Sequence, residues 1–467
     1  MKKVLTFFLC VNIIILSFAT PFSAFAKDRN NDEGMYRVSD KIYADAYMLV
    51  NLDDDSYPVI AQKNKDKRKY PASLTKMVTT MVVLNNVKDL NAKTKVSQSA
   101  IDAITGLGAQ NAGLKVGEEV TIEQLLYLTM VFSACDACQV LAEYVSGNVT
   151  EFAKLMNNWV KSLGCKDTNF TNPDGLHDAN HYTTASDMLL ITLESMKNET
   201  FMKMATTQKY TYGKYTFTHT NYMMDKPHRT YYYPYAQGIK TGSTEEAGYC
   251  VITKASKDGY NYLAIVMDSP LKKLEGYDTK YSFIDAKTLF EWGFNSLKHS
   301  MVLRKNDVVS EIPVASGKDA DTLPLVAQKD VLALVPKSLD PSAVMIKPVD
   351  QPESVDAPIA QGDKICEADI IYAEKVIAHV NLVAGKTVEL STLLKFTNGI
   401  KKILGKKSVL AVVIILIIAV IIYIFVFIDR MNKAKKASAA KRRRREELEE
   451  QVNREYHDRN YIPPPRR

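Results

Sequence analysis

A serine and a lysine three positions apart, Ser73 and Lys76, are the first residues of this chain whose types and spacing suit chemistry. They follow Pro71, which suits a helix start, and precede a largely apolar run to Leu84, which predicts a mostly buried helix. Residues three apart lie on one helix face, one turn from each other. A lysine that is neutral for part of the time can take the serine proton. The spacing therefore predicts a nucleophilic Ser73 with Lys76 as its proton acceptor.

Two further motifs follow along the chain. The serine-led triplet Ser133–Cys135 comes first, and the Lys-Thr-Gly triplet Lys240–Gly242 lies later on a strand-like run. A Ser-x-x-Lys pattern alone is common by chance, but this motif order is that of penicillin-binding proteins and class A β-lactamases. The chain therefore resembles a penicillin-recognising serine acyltransferase.

Longer stretches narrow the resemblance to the low-molecular-mass D-alanyl-D-alanine carboxypeptidases, which trim the terminal D-alanine from peptidoglycan stem peptides. The stretches that carry it are Tyr70–Lys76, Asn172–Leu176, His181–Ala185, Gly238–Gly242 and Glu246–Cys250. The resemblance is strong over about residues 40–297, and over 298–400 it rests on position and composition only. It implies peptidoglycan stem peptides as substrates and β-lactam antibiotics as ligands.

The resemblance also implies a reaction. Ser73 attacks the carbonyl of the penultimate D-alanine, Lys76 accepts the proton, the terminal D-alanine leaves, and water hydrolyses the acyl-enzyme. Ser133 is expected to relay a proton to the leaving amine. We predict no cofactor and no metal site: His177 and His181 have a spacing that suits a metal, but no third ligand is near, and we interpret them as surface histidines.

The substrate-binding residues implied by the resemblance lie around the Lys-Thr-Gly triplet. Lys240 is expected to hold the substrate carboxylate by charge, and to lower the pKa of Lys76 by like-charge repulsion. Thr241 adds a hydroxyl bond to that carboxylate. The backbone N–H groups of Ser73 and Ser243 are expected to form the oxyanion hole.

Cys135 departs from the family pattern, which usually has asparagine there to bond the substrate's peptide group. Cysteine cannot supply those bonds. An alternative hypothesis is therefore a penicillin-binding but hydrolytically weak protein that recognises peptidoglycan or scaffolds other proteins; a β-lactamase is a third, less favoured by the extra domain and membrane span. Without Cys10, five cysteines remain, and an odd number predicts at least one free thiol.

The ends of the chain predict export and anchoring. Residues 1–26 read as a signal peptide, with a charged start, an apolar core and a small-x-small cleavage site at Ala24–Ala26. Val409–Ile428 has no charge and is long enough to cross a membrane. The basic run Lys441–Arg445 places the C-terminus in the cytoplasm. The net charge of +7 thus comes largely from basic residues that flank the membrane span, and we infer no nucleic-acid partner.

Between the ends, the pattern predicts an α/β catalytic domain of the β-lactamase/transpeptidase type over residues 27–297. Early strands at Ala46–Leu52 and Tyr57–Gln62 precede a group of helices, and three antiparallel strands follow. Short apolar runs between polar turns then predict a small all-β domain over 298–400. The transmembrane helix at 409–428 and a cytoplasmic basic tail at 429–467, expected to be solvated or disordered, complete the organisation, with the catalytic domain outside the cell membrane.

Overall fold

The computed structural model describes residues 35–274, 277–394, 396 and 407–459. The predicted signal peptide and the last eight residues of the tail lie outside the described residues. The chain divides into two compact units. One holds the residues up to 302 together with 332–345 and 370–378, and the other holds 303–331, 346–369 and the residues from 379 onward.

The first unit combines strands from both ends of its sequence with helices between them. Its strands are β1 (Ala46–Asn51), β2 (Val59–Lys63), β3 (Lys93–Lys95), β4 (Glu119–Thr121), β5 (Lys209–Tyr212), β6 (Tyr215–Thr218), β7 (Ala236–Thr244), β8 (Gly248–Lys257), β9 (Tyr260–Ser269), β10 (Leu271–Leu274) and β11 (Tyr277–Lys280). Its α-helices are α1 (Thr75–Asn86), α2 (Gln98–Asp102), α3 (Ile122–Tyr127), α4 (Cys135–Ser146), α5 (Val149–Ser162), α6 (Ala185–Met196), α7 (Glu199–Thr206) and α8 (Tyr281–Ser296).

The main sheet is antiparallel, in the order β2-β1-β9-β8-β7. The three late strands are antiparallel as predicted, and the early hairpin extends their sheet. Both faces of this sheet are covered. Along β1, Met48 and Val50 pack into the core shared with helices α1 and α4, whereas Leu49 packs into the core shared with α8. Successive strand residues point to opposite faces, so a strand buried on both faces needs apolar residues at every position. This sandwich confirms the α/β prediction.

The helix after Pro71 is buried as expected, but it begins later than the sequence indicates. A 3₁₀ turn at Ala72–Leu74 comes first, and α1 starts at Thr75. Another boundary agrees with the sequence pattern, since the largely apolar run from Ala185 to Met196 predicts a helix there and α6 has those bounds. The sequence from Thr121 to Gln124 has the spacing of a helix capping box, and the structure contains one: the side chains of Thr121 and Gln124 each bond the other's backbone N–H.

The late residues confirm the all-β prediction. Their strands are β12 (Leu297–Leu303), β13 (Val308–Ala315), β14 (Thr322–Ala327), β15 (Val331–Pro336), β16 (Met345–Val349), β17 (Val355–Asp356), β18 (Lys364–Tyr372) and β19 (Lys375–Ala384). Six of them form a sheet in the order β16-β18-β19-β14-β13-β17, and β12 pairs with β15.

A single long helix, α9 (Lys407–Arg459), contains the predicted span. Among the described residues it is the one helix long and apolar enough to cross a membrane. Beyond the span the helix continues through the tail to Arg459, and the side chains at 429–455 are exposed, which agrees with the expectation of a solvated tail. Its i,i+4 ion pairs, such as Arg442 with Glu446, favour that continuation.

Candidate active site

A cleft of about 850 Å³ lies in the first unit, and the three sequence motifs meet there. Ser73, Ser133, Cys135, Thr241 and Ser243 all line it. The two motif lysines lie just below the surface of the cleft, and both are fully buried. The structure thus brings together every site residue that the sequence predicted.

Ser73 is held by an unusual backbone. The residue before it, Ala72, has a φ of +47°, which a side chain adopts at a cost of roughly 1–2 kcal/mol. Two glycines make room for this turn. A Cβ on Gly175 would lie 1.9 Å from the Ala72 carbonyl oxygen, and one on Gly242 would lie 3.0 Å from the Ser73 nitrogen. Strand β7 and the loop at Gly175 therefore pack directly against the turn that presents Ser73.

Lys76 lies one turn along, on the same face as Ser73. Its Nζ donates to Ser73 Oγ at 2.9 Å and to the Asp174 carbonyl oxygen at 2.5 Å, and lies 3.4 Å from Cys135 Sγ. The three contacts come from the 3₁₀ turn before α1, the loop after α5 and the start of α4. This geometry allows a proton to pass between Ser73 and Lys76.

A second lysine–serine pair faces the cleft from the opposite side. Lys240 on β7 donates to Ser133 Oγ at 2.9 Å. Ser133 follows a π-helical turn and has a left-handed φ of +66°, which turns the chain between α3 and α4 and directs the hydroxyl to the cleft. Thr241 Oγ1 donates to Thr220 Oγ1 at 2.6 Å. Thr220 carries no signal in the sequence.

The electrostatics of the two lysines differ from the expectation. Burial, and then repulsion from Lys76, lower the pKa of Lys240 to about 7. The pKa of Lys76 is lowered by burial but raised by Cys135, Cys138 and Asp174, and the net direction is upward. The predicted lowering of the Lys76 pKa by Lys240 was therefore wrong, because the repulsion falls on Lys240.

His181 corrects the interpretation of the two histidines as surface residues. It is only 2% exposed, its Nδ1 accepts from the Thr171 N–H, and its Nε2 bonds Thr75 Oγ1 at 2.8 Å. Burial lowers its pKa to about 4, so it is neutral and ties the 171–176 loop to α1. His177, by contrast, is partly exposed at the cleft, 3.7 Å from Glu246. No group of three or more potential metal ligands occurs among the described residues.

Two residues of the site were missed from the sequence. Asp174 was noted only as part of the Asn172–Leu176 stretch, and Gln139 was not noted, although its place one turn after Cys135 on α4 was a usable signal. Gln139 Nε2 donates to Asp174 Oδ2 at 2.6 Å below the cleft. Each of the five described cysteines is free, in agreement with the prediction of at least one free thiol.

Comparison with known families accounts for both parts of the chain. Residues 33–270, 238 of the 467, match the sequence model of the D-alanyl-D-alanine carboxypeptidases, peptidase family S11. Residues 298–390 match the model of the penicillin-binding protein 5 C-terminal domain.

Individual relatives agree. The D-alanyl-D-alanine carboxypeptidase DacF of Bacillus subtilis is 28% identical over 411 residues, which cover 87% of this chain and 98% of the relative. DacA of Haemophilus influenzae is 30% identical over 73% of this chain and 84% of its own. The crystal structure of penicillin binding protein 5 from Haemophilus influenzae superposes with a TM-score of 0.57 at 28% identity, covering 75% of this chain and 98% of that one.

Proposed function

The chain belongs to the D-alanyl-D-alanine carboxypeptidase family, and we propose that its cleft removes the terminal D-alanine from peptidoglycan stem peptides through an acyl-enzyme on Ser73. The observation that carries this proposal is the contact of buried Lys76 Nζ with Ser73 Oγ at 2.9 Å, beside a cleft lined by Ser73 and by Ser133, to which Lys240 donates. A hydroxyl in contact with a buried amine, beside a buried cation, is the arrangement that serine acyl transfer requires.

Substrate binding supplies the neutral base in this scheme. A stem-peptide carboxylate that binds beside Lys240 favours the charged form of Lys240 and raises its pKa above 7. The charged Lys240 then disfavours the ammonium of Lys76 by like-charge repulsion. Lys76 consequently releases its proton when substrate is present, and can accept the proton of Ser73 as the hydroxyl attacks the peptide carbonyl.

The remaining residues take roles that match their positions. Thr241 lines the cleft beside Lys240 and adds a hydroxyl bond to the same carboxylate. Ser133, bonded to Lys240, relays a proton to the departing D-alanine amine. The backbone N–H groups of Ser73 and Ser243 stabilise the oxyanion, and removing one such donor typically costs about 10²–10³ in kcat.

One assay tests the proposal directly. The purified enzyme should release D-alanine from a diacyl-Lys-D-Ala-D-Ala peptide, and a fluorescent penicillin should label it covalently. The Ser73→Ala variant should do neither while keeping the wild-type melting temperature. Labelling that survives in this variant would show that Ser73 is not the nucleophile.

The alternative of a hydrolytically weak, penicillin-binding scaffold has less support. It rested on Cys135, and none of the comparisons favours it. The relatives reported above match most of this chain, and both are named as carboxypeptidases. If the wild-type enzyme releases D-alanine no faster than the Ser73→Ala variant, the scaffold alternative would be favoured.

The apolar part of α9 supports membrane association, and we propose a single span at Val409–Ile428 with the catalytic unit outside. Twenty helical residues extend about 30 Å, the thickness of a hydrocarbon core. The basic run that follows favours a cytoplasmic C-terminus. Protease added to intact cells should leave a fragment that contains this span and the tail. An epitope placed after Arg467 that is reached from outside would contradict the orientation.

A further inference from the structure

Asp174 is a buried carboxylate next to the site and has no role in the scheme above. It is 1% exposed. Its Oδ1 accepts from the Leu176 N–H at 3.0 Å, and its Oδ2 accepts from Gln139 Nε2 at 2.6 Å. Gln139 Oε1 is buried and has no hydrogen-bond partner within the described structure. Both carboxylate oxygens are thus fixed by N–H donors, and neither donor carries a charge.

A buried carboxylate with only neutral donors needs a cation nearby, because desolvating an unpaired charge is costly. Lys76 provides that cation: its Nζ donates to the backbone oxygen of Asp174, and the charge of the Asp174 side chain is among the influences that raise the pKa of Lys76. The other titratable groups that act on Lys76 are the thiols of Cys135 and Cys138 from α4, Lys240 from β7 and His181 from the loop. Burial raises the pKa of both thiols, and the pKa of His181 is low, so all three are neutral near pH 7.

We propose that Asp174, clamped by Gln139, is a positioning residue that fixes both the place and the charge of Lys76. Its backbone carbonyl holds the ammonium against Ser73, and its carboxylate is the counter-charge that keeps the proton on Lys76 rather than on Lys240 until substrate binds. The inference rests on the proposed function, because it assigns the order in which the two lysines lose a proton in that reaction.

The structure offers a substitution that separates charge from shape. In Asp174→Asn, Oδ1 still accepts from the Leu176 N–H. Rotation of the Gln139 amide presents its unpartnered Oε1 to the new Nδ2, so the clamp keeps its hydrogen bond and only the negative charge is lost. Without that charge the ammonium of Lys76 is less favoured, and its pKa falls.

The measurement is the rate constant of acylation by a fluorescent penicillin at subsaturating concentration, from pH 5 to pH 10, where the rate should still be rising with pH because the pKa of Lys76 is raised from 10.5. The acidic limb of this profile reports the deprotonation of the base in the free enzyme. Asp174→Asn should move that limb to lower pH by on the order of one unit. The variant should therefore react faster than wild type below the limb, which loss of structure would not produce. A limb that stays in place or moves upward in a folded variant overturns the proposal.

Gln139→Met serves as the matched variant, because it keeps the charge and removes the clamp. It should lower the acylation rate about tenfold at every pH and leave the limb in place. Should Asp174→Asn fail to fold, this variant decides: an unchanged rate with an unchanged melting temperature overturns the proposal. A wild-type enzyme that no penicillin labels would refute the proposed function instead, so the two failures are distinguishable.

Discussion

Replacing Cys135 with asparagine is expected to raise D-alanine release about ten- to a hundredfold. Cys135 Sγ lies 3.4 Å from Lys76 Nζ and lines the cleft, so its side chain faces both the base and the substrate. A thiol is a weak donor and a weak acceptor. An asparagine of similar size offers a carbonyl to Lys76 and an amide N–H to the substrate peptide, a gain of about 1–3 kcal/mol if the bonds hold in the transition state.

The assay is D-alanine release from diacyl-Lys-D-Ala-D-Ala, run beside penicillin labelling of the same preparations. Labelling should change less, because the strained β-lactam ring supplies reactivity of its own. Cys138→Ser is the matched control: Cys138 Sγ donates to the Ala134 carbonyl oxygen at 3.2 Å, a serine hydroxyl keeps that bond, and activity should stay at the wild-type level. Both thiols are free, so reductant should not change the wild-type rate. Unchanged or lower release by folded Cys135→Asn would refute the reasoning.

Three further outcomes follow from the geometry. Because the pKa of Lys240 is about 7, Lys240 loses its charge as pH increases from 7 to 9, and the KM for the peptide should rise. Lys240→Arg stays charged and should remove that pH dependence. A wild-type KM that does not change with pH would contradict this expectation. Gly175→Ala should lower the free energy of unfolding by about 3 kcal/mol and abolish penicillin labelling, because its Cβ would clash with the Ala72 carbonyl. Gly164→Ala is the control: it has a similar φ and open space, so it should lower the free energy of unfolding by about 1 kcal/mol and keep labelling. The pKa of buried His181 is lowered from 6.5 to about 4, so the unfolded state binds more protons and about 3 kcal/mol of stability should be lost as pH falls from 6.5 to 4; denaturant melts that match at both pH values would exclude this.

The elements that position the site were predictable because their signals are local. The three-residue spacing of Ser73 and Lys76 needs only a helix to bring the side chains together. The capping box at Thr121 depends on only four consecutive residues, from Thr121 to Gln124. The run Ala46–Leu52, apolar except at Asn51, predicted a strand, and β1 lies there at Ala46–Asn51. Such patterns do not depend on the rest of the chain, and the structure agrees with them.

Features that depend on distant parts of the chain could not be predicted in this way. The positive φ of Ala72 is tolerated only because Gly175 and Gly242 leave room for that turn, and they lie about 100 and 170 residues away. The burial of His181 likewise depends on Thr75, and the role of Thr220 depends on Thr241. In the sequence each is an ordinary residue, and only the packing of separate segments gives it a function.

The charge state of the site is the clearest case of this limit. Sequence order indicates two lysines in one cleft, and like-charge repulsion indicates that one of them loses charge, but neither indicates which. The choice is made by neighbours. Asp174 lies against Lys76, whereas the bonds of Lys240 go to the neutral oxygens of Ser133 and its own strand, so the repulsion falls on Lys240. A substrate carboxylate supplies the counter-charge that Lys240 lacks, and for that reason we expect binding to move the positive charge across the cleft and to free the base beside the nucleophile.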